Sequence, residues 1–348
     1  MNQTIERSAG PDERVTVRSP LRRLLGRPEI GALIGALALF VFFAVTAETF
    51  LRAGAFSTVL YASSTFGIMA VSVSLLMIGG EFDLSAGVMV TTSALVASMC
   101  SYQLNLNVWA GVAISLAVTL ALGFVNGLLY VKTGLPSFII TLGTFFMLAG
   151  ANLGVTKAVS DNVATPSIAD MAGFQAAKQV FASDLTVLGV QIKITVVWWL
   201  LMVAVATWLL LRTRAGNWIF AAGGAAESAR AVGVPVTKTK IALFMGVAFT
   251  AWFSGMHLLF AFDSVQSGEG VGNEFFYIIC AVIGGCLLTG GYGSAVGAAI
   301  GAFIFGMTNK GIIYAEWNPD WFKFFLGAML LIATVVNLVV RRRAEVSE

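Results

Sequence analysis

Carboxylates and histidines that could carry chemistry are scarce in the apolar stretches of this sequence. Glu81 and Asp83 follow one apolar run, Glu269 and Glu274 follow another, and the single histidine, His257, lies within the second of these two runs. A carrier driven by protons or sodium ions needs carboxylates or broken-helix carbonyls near the membrane midplane. The scarcity of acids therefore counts against that class. We expect His257 to hydrogen-bond between helices or to lie near the membrane interface rather than to relay protons.

Motifs for nucleotide or metal chemistry do not occur in the sequence. A P-loop reads Gly-x-x-x-x-Gly-Lys-Ser/Thr, because its backbone amides cradle phosphate, and the sequence contains no Gly-Lys pair. The three cysteines, Cys100, Cys280 and Cys286, do not have the spacing of metal ligands. We therefore expect this chain to bind no metal and no nucleotide itself, and not to be an enzyme.

Glycines recur in a late stretch of the chain. The spacing does not fit a dinucleotide-binding fingerprint, and no strand precedes it. Gly293, Gly297 and Gly301 occupy every fourth position, which predicts a small-residue helix face on which another element packs. Gly284 and Gly285 would allow a similarly close backbone approach. These five glycines are predicted to serve helix packing.

The composition indicates what kind of protein positions these residues. Of 348 residues, 58% are hydrophobic and 11% are charged, whereas soluble domains have about 45–50% apolar and about 25% charged residues. A soluble chain needs a polar shell. This excludes a soluble enzyme, a disordered chain and a disulfide-stapled secreted domain. The net charge of +3 gives no indication of nucleic-acid binding, so we expect a polytopic protein that contacts membrane lipid.

The apolar stretches predict an all-α protein with about ten transmembrane helices. A spanning helix needs roughly 20 mainly apolar residues. The third and eighth stretches are short for a full crossing, and we expect broken or re-entrant helices there. The predicted spans are residues 30–50, 57–79, 84–101, 106–131, 136–156, 192–211, 240–262, 275–290, 292–314 and 321–340.

The positive charges predict the orientation of these spans. With an even number of spans, fifteen of the 21 lysines and arginines lie on the side of the termini, which places both termini in the cytoplasm. Residues 1–29 form a cytoplasmic tail, and residues 341–348 form a second one. Residues 30–340 form a single transmembrane domain with an external loop at about 157–191 and a cytoplasmic loop at about 212–239.

Spans 2–5 and 7–10 are candidates for an inverted repeat. They enter the membrane from opposite sides, as in many transporters. Gly-rich acidic segments, residues 79–85 and 267–274, follow the first span of each set.

The cytoplasmic loop contains a predicted short helix. Residues 225–232 favour helix, and Gly233 has the position of a C-terminal stop. Such a helix could dock into a groove on a partner. The alternative is a plain solvated loop.

Four segments of the chain match a known pattern, in order, over about residues 60–311. Residues 80–87 read Gly-Glu-Phe-Asp-Leu-Ser-Ala-Gly, and Asn126-Gly127 precedes a run at 134–144, Gly-Leu-Pro-Ser-Phe-Ile-Ile-Thr-Leu-Gly-Thr. The others lie at 220–234 and at 272–294, the latter containing Ile-Gly-Gly-Cys-Leu-Leu-Thr-Gly-Gly-Tyr-Gly-Ser. The chain thereby resembles the permease subunits of ribose-type ABC sugar importers.

Some positions depart from this family pattern. Glu81 stands where the family motif Gly-Gly-Ile-Asp-Leu-Ser-Val-Gly has its second Gly, although a Glu-Phe-Asp-Leu-Ser variant also fits, and Ala86 replaces Val. Ala225 replaces a usual Asn, and Cys286 and Leu287 replace Thr and Ser. If the last pair lines the pathway, substrate contacts differ from those of the family.

The resemblance implies an import machine with several subunits. It implies a homodimer or a dimer with a close relative, two cytoplasmic ATP-binding subunits that hold ATP and Mg, and a periplasmic sugar-binding protein, all at the bacterial inner membrane. The segment that couples to the ATPase subunits would comprise Ala226, Glu227, Ser228, Ala229, Arg230 and Gly233.

A neutral sugar needs hydroxyl and amide partners along its path, together with some aromatic faces. For each candidate residue, helix packing or capping is the alternative, and for Asp83 and Ser85 we favour capping of the third span. The candidates for the path or for capping are Asp83, Ser85, Asn126, Ser137, Phe138, Thr141, Thr144 and Glu274.

Other functions remain open from the residues alone. A gradient-driven secondary transporter of a small polar solute would work without ATPase partners. A membrane scaffold or an intramembrane enzyme would show no uptake. The residues determine neither the sugar, polyol or nucleoside carried nor the direction of transport.

Overall fold

The computed structural model describes residues 28–346, which form a helical bundle with one small β-hairpin. Ten helices within this range correspond in order to the ten predicted spans, so the all-α polytopic fold class is confirmed. By length and composition alone, seven of them are long and apolar enough to cross a membrane. The ten are α1 (Pro28–Thr46), α2 (Ala53–Ile78), α3 (Ala86–Gln103), α4 (Val108–Thr133), α5 (Ser137–Ser160), α7 (Ile194–Arg212), α10 (Val236–Phe262), α11 (Asn273–Ile283), α12 (Ala295–Tyr314) and α13 (Phe322–Val346).

A short 3-10 helix, Pro319–Trp321, directly precedes α13, and the other remaining elements occupy the two long predicted loops. In the segment 157–191, α5 extends to Ser160, and α6 (Phe174–Phe181) is followed by the antiparallel strands β1 (Asp184–Val187) and β2 (Val190–Lys193). In the segment 212–239, α8 (Arg214–Gly224) precedes α9 (Ala226–Ala231). We call the end of the bundle with β1 and β2 the hairpin end, and the end with α8 and α9 the short-helix end.

The predicted boundaries at the chain ends need two corrections. Residues 1–27 of the predicted tail 1–29 lie outside the described residues, and α1 begins at Pro28. At the other end, α13 continues to Val346, through most of the predicted tail 341–348.

The eighth predicted span is shorter than expected. Residues 275–290 were expected to be helical, but α11 ends at Ile283. Gly285 is in the left-handed conformation at φ 94°, and its amide donates to the carbonyl oxygen of Val282. The amide of Cys286 donates to the carbonyl oxygen of Ala281. These two hydrogen bonds form a Schellman motif, which ends the helix. Eleven residues rise about 16 Å, roughly half of a hydrocarbon core of about 30 Å. The short helix is thus confirmed, and the segment 286–294 that follows it is irregular.

Helix contacts support the inverted repeat. The two most extensive contacts join α2 to α12 and α10 to α4. In an inverted repeat of this kind, α2, α3, α4 and α5 correspond to α10, α11, α12 and α13. The α2–α12 contact is then equivalent to the α10–α4 contact. The same exchange relates the α3–α4 contact to the α11–α12 contact, and the α3–α5 contact to the α11–α13 contact.

His257 forms the interhelical hydrogen bonds that the sequence predicts. Its Nδ1 donates to the carbonyl oxygen of Phe181 at 2.8 Å, so its Nε2 accepts from the hydroxyl of Tyr61 at 3.0 Å. The ring is buried. It therefore joins α10 to α2 and holds the end of α6 against the bundle.

The glycine stripe is placed differently from the prediction. Gly293 precedes α12, because Ser294 caps that helix by accepting from the Gly297 amide at 2.9 Å. Gly297 and Gly301 lie on α12 and face α11. A Cβ atom on Gly297 would lie 2.0 Å from the carbonyl oxygen of Gly284, and one on Gly301 would lie 1.9 Å from that of Cys280.

We predict that Gly301→Ala lowers the thermal stability of the detergent-solubilised protein, because the added methyl group meets backbone that cannot move aside. Overpacking of this kind costs about 1–3 kcal/mol. Gly246→Ala is the matched control, because nothing lies within 4 Å of its Cβ position on α10. Equal apparent unfolding temperatures for the two variants, measured by fluorescence-detected gel filtration, would show that α11 and α12 are not in close contact.

Candidate functional site

The segment between α2 and α3, residues 79–85, is irregular backbone buried in the bundle. We call it the motif segment. Helix α2 stops at Gly79 and Gly80, where the Gly80 amide bonds Met77 and the Glu81 amide bonds Leu76. Irregular backbone at membrane depth is tolerated only where its polar groups find partners in the protein. The side chains around the motif segment supply these partners.

Helix α5 satisfies the backbone of the motif segment. The amide of Phe82 donates to Ser137 Oγ at 3.1 Å, and the amide of Leu84 donates to Thr141 Oγ1 at 3.0 Å. Both hydroxyl groups are on the first two turns of α5 and both residues are buried. The N-terminal end of α5 is therefore attached to the motif segment by hydrogen bonds.

A chain of polar side chains extends from Asp83 to the same helix. Asp83 Oδ1 accepts from the amide of Ser85 at 2.8 Å and from its hydroxyl at 2.5 Å. Asn126 Nδ2 donates to Ser85 Oγ at 3.0 Å, and Thr144 Oγ1 donates to Asn126 Oδ1 at 2.7 Å. Asp83 is fully buried, and its Oδ2 has no hydrogen-bond partner among the described residues.

Six of the eight predicted path or capping residues thus meet in one network. The capping role expected for Ser85 is not observed, because its hydroxyl donates to Asp83 and α3 has no side-chain cap. The side chain of Phe138 is half exposed and does not take part in the network. Glu274 lies on the first turn of α11, where its carboxylate accepts from the Gly272 amide at 3.1 Å. It is close to the start of α3, since a Cβ on Gly87 would lie 2.3 Å from Glu274 Oε2.

A buried ion pair lies at the start of the motif segment. Lys240 Nζ donates to Glu81 Oε1 and also to the hydroxyl of Tyr130 at 3.1 Å, and it lies 5.1 Å from the centre of the Tyr130 ring. Lys240 and Glu81 are each 5% exposed. Lys240 is the first residue of the predicted span 240–262, but α10 already begins at Val236, so Lys240 lies within the helix and is buried in the bundle.

Sequence reasoning missed the roles of Glu81, Lys240 and Tyr130. An acid that departs from the family pattern and a lysine at the predicted start of an apolar span were the available indications. Only the fold shows that they lie together, since 159 positions separate the two charges along the chain.

The short predicted helix at 225–232 is present as α9, with Gly233 in the left-handed conformation at φ 87°. Its Glu227, Ser228 and Arg230 side chains are exposed, whereas Ala229 is buried against Ala222 and Val236. Ala226 is half-buried. The helix thus rests on the bundle by one small residue and presents its polar side chains outward.

Three glycine pairs join this region to the motif segment. Gly223 at the end of α8 packs on the α2 terminus, where a Cβ on Gly223 would lie 1.8 Å from the Ile78 carbonyl oxygen. That oxygen accepts from the Gly291 amide at 2.8 Å. A Cβ on Gly290 would lie 2.7 Å from Cα of Gly80. We call the contact among residues 79–80, 223–224 and 290–291 the glycine junction.

Comparison with known proteins identifies a family of membrane permeases. The family model described as "Branched-chain amino acid transport system / permease component" matches residues 55–334. No solved structure matches the chain.

Curated relatives match over nearly the whole chain. The ribose import permease protein RbsC of Escherichia coli strain K12 is 30% identical, over 88% of this chain and 92% of its own length. The fructose import permease protein FrcC of Rhizobium meliloti is 26% identical, over 88% of this chain and 84% of its own. The galactose/methyl galactoside import permease protein MglC of Haemophilus influenzae is 29% identical, over 83% and 88%.

We predict that Lys240→Met destabilises the protein strongly, because it leaves the Glu81 carboxylate buried without its cation. Removing one partner of a buried pair costs about 3–5 kcal/mol, whereas replacing both by apolar residues is often neutral. Glu81→Leu combined with Lys240→Met should therefore recover most of the loss in unfolding temperature.

The exposed pair Lys193–Asp184, at 2.8 Å, supplies the control. Lys193→Met should change stability by less than about 1 kcal/mol. A Lys240→Met variant as stable as Lys193→Met, or a double variant no more stable than Lys240→Met, would contradict the assignment of a buried, mutually dependent pair.

Proposed function

The chain belongs to the family of permease components of the branched-chain amino acid transport system type, and we propose that it is the membrane permease subunit of an ATP-driven importer of a monosaccharide or related polyol. The observation that carries the substrate class is the near full-length similarity to permeases named for ribose, fructose and galactose import. The multi-pass helical fold supports the permease role. The chain provides the path, and its partners hydrolyse ATP.

The proposed assembly has this chain as one of two membrane subunits, the other being a second copy or a close relative. Two cytoplasmic ATP-binding subunits hold ATP and Mg, and this chain holds neither. A periplasmic sugar-binding protein delivers the substrate. Both termini lie in the cytoplasm of a bacterium, so the short-helix end faces the cytoplasm and the hairpin end faces the periplasm.

The exposed polar face of α9 supports its role in coupling. The six-residue helix α9 exposes Glu227, Ser228 and Arg230 and buries only Ala229. A partner can therefore bind its polar side chains without disturbing the core. Its Ala226 and the stop at Gly233 fix the length of the contact surface. ATP-driven closure of the two ATPase subunits would move α9 and the adjoining end of α8.

The glycine junction gives this motion a route into the bundle. Gly223 contacts the end of α2, from which the motif segment begins, and the motif segment is hydrogen-bonded to α5 through Ser137 and Thr141. The proposed path residues Asp83, Ser85, Asn126 and Thr144 lie in the same network. Phe138 offers an exposed aromatic face beside it, and Glu274 lies on the first turn of α11, next to Gly87 at the start of α3. Movement at α9 would therefore reach α5 and change access along its face.

The glycines at α11 and α12 support the rigid side of this arrangement. Gly284, Gly297 and Gly301 permit backbone contact between the two helices, whereas Gly285 ends α11 and Gly293 packs on Cys286 before α12 begins. We propose that this half of the bundle serves as the frame against which the motif segment moves.

The proposed function is tested first by a mild-detergent pull-down of the tagged chain, with mass spectrometry of the bound proteins. We expect ATP-binding subunits to co-purify and their ATPase activity to rise with a sugar-loaded binding protein. A homomer that transports alone when reconstituted, in response to a proton or sodium gradient, would instead make this chain a secondary transporter.

We predict that Arg230→Glu leaves membrane insertion intact and abolishes both ATPase co-purification and uptake, because it reverses a charge at the centre of the coupling surface. Lys178→Glu makes the same charge change on α6, at the opposite end, and should retain co-purification of the ATPase subunits. Normal uptake by the Arg230→Glu variant at wild-type membrane levels would exclude α9 as the coupling helix.

A further inference from the structure

A cavity of about 180 Å³ opens between α2, α3, α10 and α11, under the segment 263–272. It belongs to the hairpin end of the bundle, because the first turns of α2 lie against β2, where Ser57 Oγ donates to the carbonyl oxygen of Gln191. The residues used below all line it: Tyr61, Phe66, Ser254, His257, Phe262, Glu269, Asn273 and Tyr277. None of the path residues in the motif segment takes part.

The lining is rich in hydrogen-bonding groups for a site among membrane helices. Tyr61 and His257 form a polar pair on one wall at 3.0 Å. Ser254 Oγ is buried and has no hydrogen-bond partner among the described residues. Polar groups inside a helical bundle are costly, and they mark functional sites by default. A buried hydroxyl group without a partner in the wall of a cavity would gain a hydrogen bond from the hydroxyl group of a ligand.

Aromatic rings supply the apolar part of the lining. Phe66 lies against Tyr277, with ring centroids 5.8 Å apart, and Tyr277 is buried. Phe262 is 59% exposed at the mouth. Ligand sites are mostly apolar, with a few polar groups that fix orientation. A sugar suits such a lining, because it has one apolar C–H face and a rim of hydroxyl groups.

The charge of the lining excludes several ligand classes. Within the described part of the chain, Glu269 is the one carboxylate of the cavity, and no lysine or arginine lines it. Lys193 approaches the Tyr61 ring to 6.0 Å but is ion-paired with Asp184. A phosphate or the carboxylate of an amino acid would find no cation here. A carboxylate acceptor next to hydroxyl and amide groups fits a neutral polyol.

We propose that this cavity binds a single monosaccharide or polyol molecule, as a station between the hairpin end of the permease and the motif segment. The inference rests on the proposed import function and adds a defined binding site to it. Ser254 and Asn273 would hydrogen-bond the ligand, Glu269 would accept from two of its hydroxyls, and Phe66 would pack on its apolar face.

Photolabelling tests the site without relying on transport. The complete complex, reconstituted in lipid nanodiscs, is irradiated with diazirine derivatives of D-ribose and D-galactose, and the modified peptides are mapped by mass spectrometry. We expect labels on α10 near Ser254 and on α11 near Tyr277, suppressed by excess unmodified sugar. Labels confined to other surfaces, or labels that unmodified sugar does not suppress, would overturn the proposal.

Uptake by variants supplies the second test. Ser254→Ala and Glu269→Gln should each raise the sugar concentration for half-maximal uptake about tenfold, the effect of one lost hydrogen bond of about 1.4 kcal/mol. Ser254→Leu should fill the cavity and abolish uptake. Glu316→Gln, at the same end but outside the lining, should behave as wild type.

Two measurements separate this proposal from the function on which it rests. Stimulation of ATPase activity by the binding protein should be unchanged in Ser254→Ala and Glu269→Gln, which shows that docking is intact. If the wild-type complex imports none of the labelled sugars ribose, fructose and galactose, the proposed function fails. If it imports one of them and the variants match wild type, only the cavity assignment fails.

Discussion

The structure depends on one constraint, which is that irregular backbone within an apolar bundle must find its hydrogen-bond partners inside the protein. Two such segments exist in the described chain, the motif segment and residues 284–294. Side chains of α5 satisfy the first, and Gly291 of the second bonds the end of α2. Because each break in the helical backbone is satisfied by another element, the breaks hold the bundle together. They also make the elements that meet there mechanically dependent on one another.

Glycine allows these segments to approach each other more closely than side chains would permit. At the glycine junction, backbone from α8, the α2 terminus and the segment before α12 come into direct contact. Glycine has no side-chain rotamers that could rearrange to absorb a displacement. If one backbone segment of the junction moves, the segment in contact with it must therefore move as well. The α11–α12 contact has the same chemistry but lies between two helices, where it fixes their separation. The same residue type thus permits direct backbone contact both between irregular segments and between two helices.

Much of the fold could be predicted from hydrophobic runs, because a membrane demands about 20 apolar residues per crossing. The order of the ten helices, the short eighth one and the helix before Gly233 all follow from local sequence. Gly293 was misplaced because a fourfold spacing does not show where a helix begins, whereas Ser294 does. The network from Asp83 to Thr144 lay within the set of candidate residues, but its connections depend on tertiary contacts that no spacing reveals. The cavity beside Ser254 could not be predicted for the same reason, because its lining residues come from four separate helices.

Glu81 shows how a departure from a family pattern is understood only in three dimensions. Taken alone, an acid in place of Gly within a buried segment is destabilising, because a buried carboxylate without a partner is costly. Lys240 removes that cost, and Tyr130 both accepts a hydrogen bond from the ammonium group and places its ring beside it. Lys240 is on the second turn of α10, directly after α9, and Glu81 is the third residue of the motif segment. The pair therefore fixes the motif segment to α10, the helix that follows α9, so two residues that look like separate exceptions act as one connection.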